Sequence, residues 1–173
     1  MNSSQNLFLI GPMGSGKSAV GRALAAELHR RFYDSDDEIE SRTGVDVAYI
    51  FEKEGEAGFR QREARVIEEL TAKSGIVLAT GGGAILGDDN RRYLGARGFV
   101  VYLQTSVDQQ LRRTRRGRER PLIAGEDEAD RRQVLEALMS ARAAKYEEIA
   151  DIVVETDGRK VPAVTREILD RLP

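Results

Sequence analysis

The stretch Gly11-Pro12-Met13-Gly14-Ser15-Gly16-Lys17-Ser18 constrains this chain more than any other. It fits the pattern G-x-x-x-x-G-K-[ST]. An apolar run at 7–10 precedes it, and a helical pattern follows in which Val20, Leu24 and Leu28 recur every four residues. Strand, glycine loop and helix in that order make the pattern a phosphate-binding loop. A polyphosphate needs many donors converging on it. Glycines let the backbone take positive φ and approach the ligand, so that successive N–H groups form a concave anion nest. The helix behind the loop adds unpaired N–H groups and the positive end of its dipole. On this reading Gly14, Ser15, Gly16, Lys17, Ser18 and Ala19 hold a nucleotide, Lys17 reaches its β- and γ-phosphates, and Ser18 coordinates Mg²⁺.

Composition narrows the chemistry further. A length of 173 residues suits one domain, 1–173, with a core of its own. With 40% apolar and 32% charged residues the chain reads as soluble and globular. A net charge of −2 gives no general pull towards nucleic acid or anionic membranes, and no run approaches the ~18 apolar residues of a membrane span. The first six residues are polar and uncharged, unlike a secretory signal, and the absence of cysteine suits the cytoplasm. It also removes disulfides, thiolate metal sites and a thiol nucleophile. The one histidine, His29, reads as a surface residue near a helix end. A carboxylate is then the expected general base, and oxygen ligands point to Mg²⁺.

Apolar runs at 7–10, 32–34, 76–80, 99–103 and 152–154 read as strands. Helical patterns lie at 17–30, 36–42, 47–54, 59–74, 89–97, 107–115, 129–149 and 161–171. Apolar strands alternating with helices imply an α/β fold, a parallel sheet covered on both faces. Ligands in such folds sit beyond the carboxyl ends of the strands. After the second strand come Asp34, Asp36 and Asp37, three carboxylates that call for a cationic or hydroxyl partner. Period-2 spacing puts Asp34 and Asp36 on one side, while Ser35 or Asp36 is available to cap the next helix. After the third strand come Gly81, Gly82 and Gly83, more than a plain turn needs, and close approach of a ligand is expected there. Arg60 opens a charged helix after Gly55 and Gly58 interrupt the pattern.

Six arginines fall within residues 112–120 of a chain that is acidic overall. Such a run makes a nucleic-acid contact, a solvated face or a mobile cover over a nucleotide. No aromatic residue interrupts it and no recognition helix accompanies it, which favours the cover. Residues 117–127 read as a charged loop of the kind that excludes water from phosphoryl transfer.

Taken together the motifs resemble the shikimate kinase family over the whole chain. The likeness rests on residues 11–18, Asp34-Ser35-Asp36, Ile50-Phe51 with Gly55-Glu56, Phe59-Arg60 and Glu63, the glycines at 81–83, Arg120-Pro121-Leu122, and Arg142 with Tyr146. The resemblance implies a P-loop kinase, a three-layer αβα sandwich with a five-stranded parallel sheet. It implies transfer of the γ-phosphate of ATP to the 3-hydroxyl of shikimate, with Mg²⁺, in aromatic amino-acid biosynthesis. It implies that Asp34 acts on Mg²⁺ with Ser18, and that Asp36 holds the accepting hydroxyl and serves as base. Arg60 and Arg142 would bind the shikimate carboxylate, and Gly81, Gly82 and Gly83 would line the ring. Arg120 would reach the transferring phosphate beside Lys17, and Arg113 would lie near the adenine. The acceptor segment would be about 35–63 and the mobile lid about 114–127, in a cytoplasmic monomer. Many relatives carry a proline two residues after the last arginine and a leucine before the tyrosine. Here the run is Arg142-Ala143-Ala144-Lys145-Tyr146. Other small-molecule kinases of this fold, acting on a nucleoside monophosphate or gluconate, are the neighbouring reading. A guanine-specific switch would show N-K-x-D and D-x-x-G, and neither occurs.

Overall fold

The structure, a computed structural model, describes residues 2–114 and 127–173. Arg115, Arg116, Arg118 and Arg120 lie outside the described residues, as does the expected lid except for Thr114 and Asp127. The strands are β1 (Asn6–Ile10), β2 (Arg31–Asp34), β3 (Ile76–Ala79), β4 (Gly98–Gln104) and β5 (Ile152–Glu155). The helices are α1 (Lys17–Glu27), α2 (Ser35–Thr43), α3 (Val47–Thr71), α4 (Asp88–Arg97), α5 (Val107–Thr114), α6 (Glu128–Ile149) and α7 (Val161–Arg171). A short 3-10 turn at Ala84–Leu86 was not foreseen from the sequence.

All strand pairs are parallel, in the order β2-β3-β1-β4-β5. The crossover from β1 to β2 runs one way along the sheet and the later ones run the other. Right-handed crossovers therefore put α1 on the opposite face from α2, α3, α4 and α6. Side-chain alternation agrees. Leu7 and Leu9 pack with Val20, Leu24, Val164 and Ile168 of α1 and α7, whereas Phe8 and Ile10 pack with Ile39, Ile67, Leu94 and Tyr146 on the other face. This is the expected three-layer sandwich. β1, β3 and most of β4 are buried on both faces, while the edge strands β2 and β5 are partly exposed. Among the described residues no helix is long and apolar enough to cross a membrane.

Local differences from the sequence reading have identifiable causes. The two helices expected at 47–54 and 59–74 form one element, α3, with a kink at Gly55 alone (φ 72°, ψ 179°). Gly58 stays helical, and Arg62 spans the kink to Glu54 with bonds of 2.8 and 2.6 Å. α1 ends at Glu27, earlier than expected, because His29 takes a left-handed φ of 53° just past the helix end. His29 is exposed there.

Asn6 fastens the start of the central strand. Its Nδ2 donates to Lys73 O (2.7 Å) and Arg97 O (3.2 Å), and its Oδ1 accepts from Ile76 N (3.1 Å). One buried amide thus joins the ends of α3 and α4 to β1 and β3. Asn6→Ala strands the buried Ile76 N–H, and we expect it to lower unfolding free energy by about 2 kcal/mol. In urea unfolding the midpoint should fall with an unchanged slope; an unmoved midpoint contradicts this role.

Candidate active site

The phosphate loop hangs from the carboxyl end of the central strand. Gly11 has φ 146°, and a Cβ there would come within 2.5 Å of Leu103 O, so β4 leaves room only for glycine. Gly16 (φ 89°) is the N-cap of α1, which has neither a side-chain cap nor an acidic residue in its first turn. The helix N-terminus therefore keeps its donors and its positive potential for an anion. Lys17 bends over the loop and donates to Gly11 O (2.7 Å) and Pro12 O (2.8 Å). Ser15 is buried beneath it, 3.3 Å from the Lys17 ammonium, and Ala19 is exposed on the first turn. Arg113 braces the loop from α5, donating to Gly14 O (2.9 Å) and Thr156 O (3.0 Å).

Asp34 joins this loop to the neighbouring strand end. Its Oδ2 accepts from the Ser18 hydroxyl at 2.5 Å, and its Oδ1 accepts from the N–H groups of Asp36 (2.9 Å) and Asp37 (3.2 Å). Asp34 is thus the N-cap of α2, a correction to the expectation of Ser35 or Asp36. Ser35 is buried instead and accepts from Gly81 N at 2.9 Å, because the β2 and β3 ends lie side by side. Ser18 and Asp34 offer two hard oxygen ligands in contact, which fit Mg²⁺. No group of three or more His, Cys, Asp or Glu able to hold a metal occurs among the described residues.

Beside them opens a cavity of about 690 Å³. It brings together Ser18, Asp34, Asp36, Arg60, Arg142 and the glycines at 81–83, with Met13, Val47, Phe51 and Phe59 as an apolar wall. The expected acceptor residues therefore converge from β2, α2, α3, α6 and the loop after β3. Lys145 is half-buried and does not line this cavity.

The triple glycine has a specific cause. None of Gly81, Gly82 and Gly83 takes a positive φ. A Cβ on Gly81 would lie 2.8 Å from Asp36 Oδ1 and 3.0 Å from Glu63 Oε2, and one on Gly83 would overlap the Arg60 guanidinium. These are close approaches to the chain's own side chains.

Arg60 is ion-paired with Glu63 (2.9 Å) and Glu56 (3.3 Å) and lies over the Phe59 ring. Glu63 is only 1% exposed, and its second oxygen, Oε2, is buried without a hydrogen-bond partner among the described residues. Burial pushes its carboxyl above the ordinary value of 4.5, and the Arg60 guanidinium opposes that rise. Arg142 is 5% exposed and forms no ion pair with a carboxylate among the described residues. One turn later Tyr146 donates to Gly82 O at 2.5 Å. Burial raises its phenol to about 12, against the lowering effect of Arg142.

Two positions in contact with the expected acceptor residues, Glu63 and Tyr146, carry no role from the sequence alone. The available signal was helical spacing: Glu63 lies three residues after Arg60, and Tyr146 four after Arg142, so each shares a helix face with its arginine.

A family model described as shikimate kinase matches residues 13–173. A shikimate kinase of Shewanella amazonensis is 54% identical over 172 residues, 99% of each chain. A solved shikimate kinase from Acinetobacter baumannii, in complex with shikimate, is 46% identical and superposes with a TM-score of 0.93, covering 99% of this chain and 97% of that one. A gluconokinase of Sinorhizobium meliloti, at 18% identity and a TM-score of 0.63 over 98% of this chain and 92% of that one, shares the fold alone. Full-length identity above one half, with the family model running from the phosphate loop to the last residue, means that this chain belongs to the shikimate kinase family.

Proposed function

We propose that the cavity binds shikimate and that the chain transfers the γ-phosphoryl group of ATP to its 3-hydroxyl, giving shikimate 3-phosphate and ADP for aromatic amino-acid biosynthesis. The observation that carries this reading is the pair of arginines on one side of the cavity. Arg142 is buried with no carboxylate partner among the described residues, and Arg60 faces the same space. A buried guanidinium in that state awaits an anion. Two guanidinium groups on one planar carboxylate fix its orientation as well as its charge.

The phosphate loop supports nucleotide binding on the opposite side. Lys17 exchanges the Gly11 and Pro12 carbonyls for phosphate oxygens. Ser18 and Asp34 would hold Mg²⁺, Asp34 by way of a water, and the ion would supply positive charge beside the phosphates. Asp36 accepts a hydrogen bond from the 3-hydroxyl and takes its proton as the oxygen attacks the γ-phosphorus. The bond from that phosphorus to the bridging oxygen breaks, and ADP leaves with the electron pair. Arg113 serves the adenine end. Arg120, which lies outside the described residues, would act on the transferring group from the lid expected at about 114–127. The acceptor segment is about 35–63. The reading extends to a cytoplasmic monomer with no nucleic-acid partner.

The experiment that tests it is ADP release from Mg-ATP with shikimate, gluconate or AMP as separate acceptors. Turnover with shikimate alone supports the reading, and turnover with another acceptor or with none overturns it. Two substitutions separate the assigned roles. Arg60→Ala should raise the KM for shikimate by about 30-fold with a smaller effect on kcat, the scale of one lost charged hydrogen bond. Asp36→Asn should lower kcat by about 10²-fold or more, as expected for loss of a general base; full turnover in that variant refutes the base. Arg120→Ala should cost about 10³-fold in kcat if the guanidinium acts on the transition state.

Glu63 gives a pH signature. Its carboxyl is raised in the folded chain. Between pH 4.5 and that raised value the folded chain therefore keeps a proton that the unfolded chain has released. Stability from this group is full below 4.5 and is lost as pH rises through the folded value. Glu63→Gln cannot titrate. The stability of the wild-type chain relative to this variant should therefore fall with rising pH across that window, read from urea midpoints; a flat difference contradicts the raised carboxyl.

A further inference from the structure

Glycine at 81 and 83 makes room for the Asp36, Glu63 and Arg60 side chains; glycine backbone has little intrinsic stiffness, so its peptides need other bonds to fix them. Peptides flanked by glycine rotate with little steric resistance. Two of the three carbonyls are held by backbone donors: Gly81 O accepts from Ala84 N (3.1 Å) and Gly83 O from Leu86 N (3.1 Å). The middle one, Gly82 O, is held by a side chain, the Tyr146 hydroxyl at 2.5 Å.

That side chain is well anchored. Tyr146 is 1% exposed, and its ring stacks on Tyr102 of the central sheet with centroids 4.9 Å apart and planes 22° apart. It also shares a helix face with Arg142, four residues earlier, so one rigid helix carries both the cavity's buried cation and the brace on the glycine segment. A planar trans peptide points its C=O and N–H in opposite directions. With Gly82 O turned to Tyr146, the Gly83 N–H turns away from it. Gly83 lines the cavity, Tyr146 does not, and the Gly83 N–H has no acceptor among the described residues.

We propose that Tyr146 is a positioning residue of the acceptor site: its hydroxyl fixes the Gly82–Gly83 peptide so that the Gly83 N–H faces the anionic group held by Arg60 and Arg142. The proposal rests on the acceptor reading above. An ordinary phenol is already protonated near neutral pH, as a donor must be, and burial raises this one further, to about 12.

Tyr146→Phe removes one oxygen, with its bond to Gly82 O and its contact with the Arg142 guanidinium, and keeps the ring stack; the Gly83 amide resonance in this variant therefore reports the brace apart from Arg142. Steady-state kinetics should show the KM for shikimate raised about 5- to 10-fold, the scale of one net hydrogen bond, with kcat and the KM for ATP within about twofold of wild type. An unchanged KM for shikimate, or equal losses for both substrates, overturns the brace, since general loosening would affect both. Arg142→Ala distinguishes the two readings. If it leaves the KM for shikimate unchanged, the acceptor reading fails. If it raises that KM while Tyr146→Phe does not, only the brace fails. The wild-type chain supplies a check independent of folding: adding shikimate without nucleotide should shift the Gly83 amide resonance and leave that of Gly75 in place. A Gly83 amide that does not move overturns the proposal.

Discussion

Both oxygens of the Asp34 carboxylate are engaged, and the arrangement of the site depends on them. One accepts from Ser18 at the start of α1, and the other caps α2 through the N–H groups of Asp36 and Asp37. A single side chain at the end of β2 thereby ties the phosphate loop to the helix that carries Asp36. An N-cap is worth about 1 kcal/mol in helix stability. Its larger consequence here is positional, because the cap orients the first turn of α2 over the cavity. The sheet order makes this possible, since β2 and β1 flank β3 with their carboxyl ends on one side.

Charge on the acceptor side is organised by burial. Arg60 has a carboxylate partner in Glu63, whereas Arg142 has none among the described residues. Burying ions is costly, and a buried ion without a partner is costlier still. Glu63 offsets part of the cost of Arg60 and holds its guanidinium against Gly83. Arg142 is near enough to Glu63 to oppose the rise of its carboxyl, but no carboxylate pairs with it among the described residues. The raised Glu63 carboxyl is the other face of this arrangement: one oxygen meets Arg60, and the other has no hydrogen-bond partner among the described residues.

Space is the second constraint. Gly81 and Gly83 are required by the side chains that crowd them, not by backbone conformation. The glycine segment is held by Ser35 just past the end of β2, by two backbone bonds, and by Tyr146 from α6. Packed elements therefore hold the glycine segment in place on the wall of the cavity.

The alternation of apolar runs and helical patterns carried the fold class, because buried parallel strands and amphipathic helices leave different periodicities. The phosphate loop was legible for the same local reason: Gly11, Gly14 and Gly16 serve backbone geometry and close approach within a few residues of one another. Asp36, Arg60 and Arg142 stand out as candidate acceptor residues only through family resemblance, since their spacing matches that of surface charges. Tertiary structure alone decided what lies between them. Asp34, rather than Ser35 or Asp36, caps α2, because Ser35 is drawn to Gly81 by the pairing of β2 with β3. Only Gly55 kinks α3, because the Glu54–Arg62 pair closes across it while Gly58 remains helical. Glu63 and Tyr146 acquire roles from contacts with residues far along the chain: Glu63 with Gly81, and Tyr146 with Gly82 and Tyr102. Long-range contacts of this kind leave no periodic trace in a sequence, so the partners became identifiable only once the sheet had brought its strand ends together.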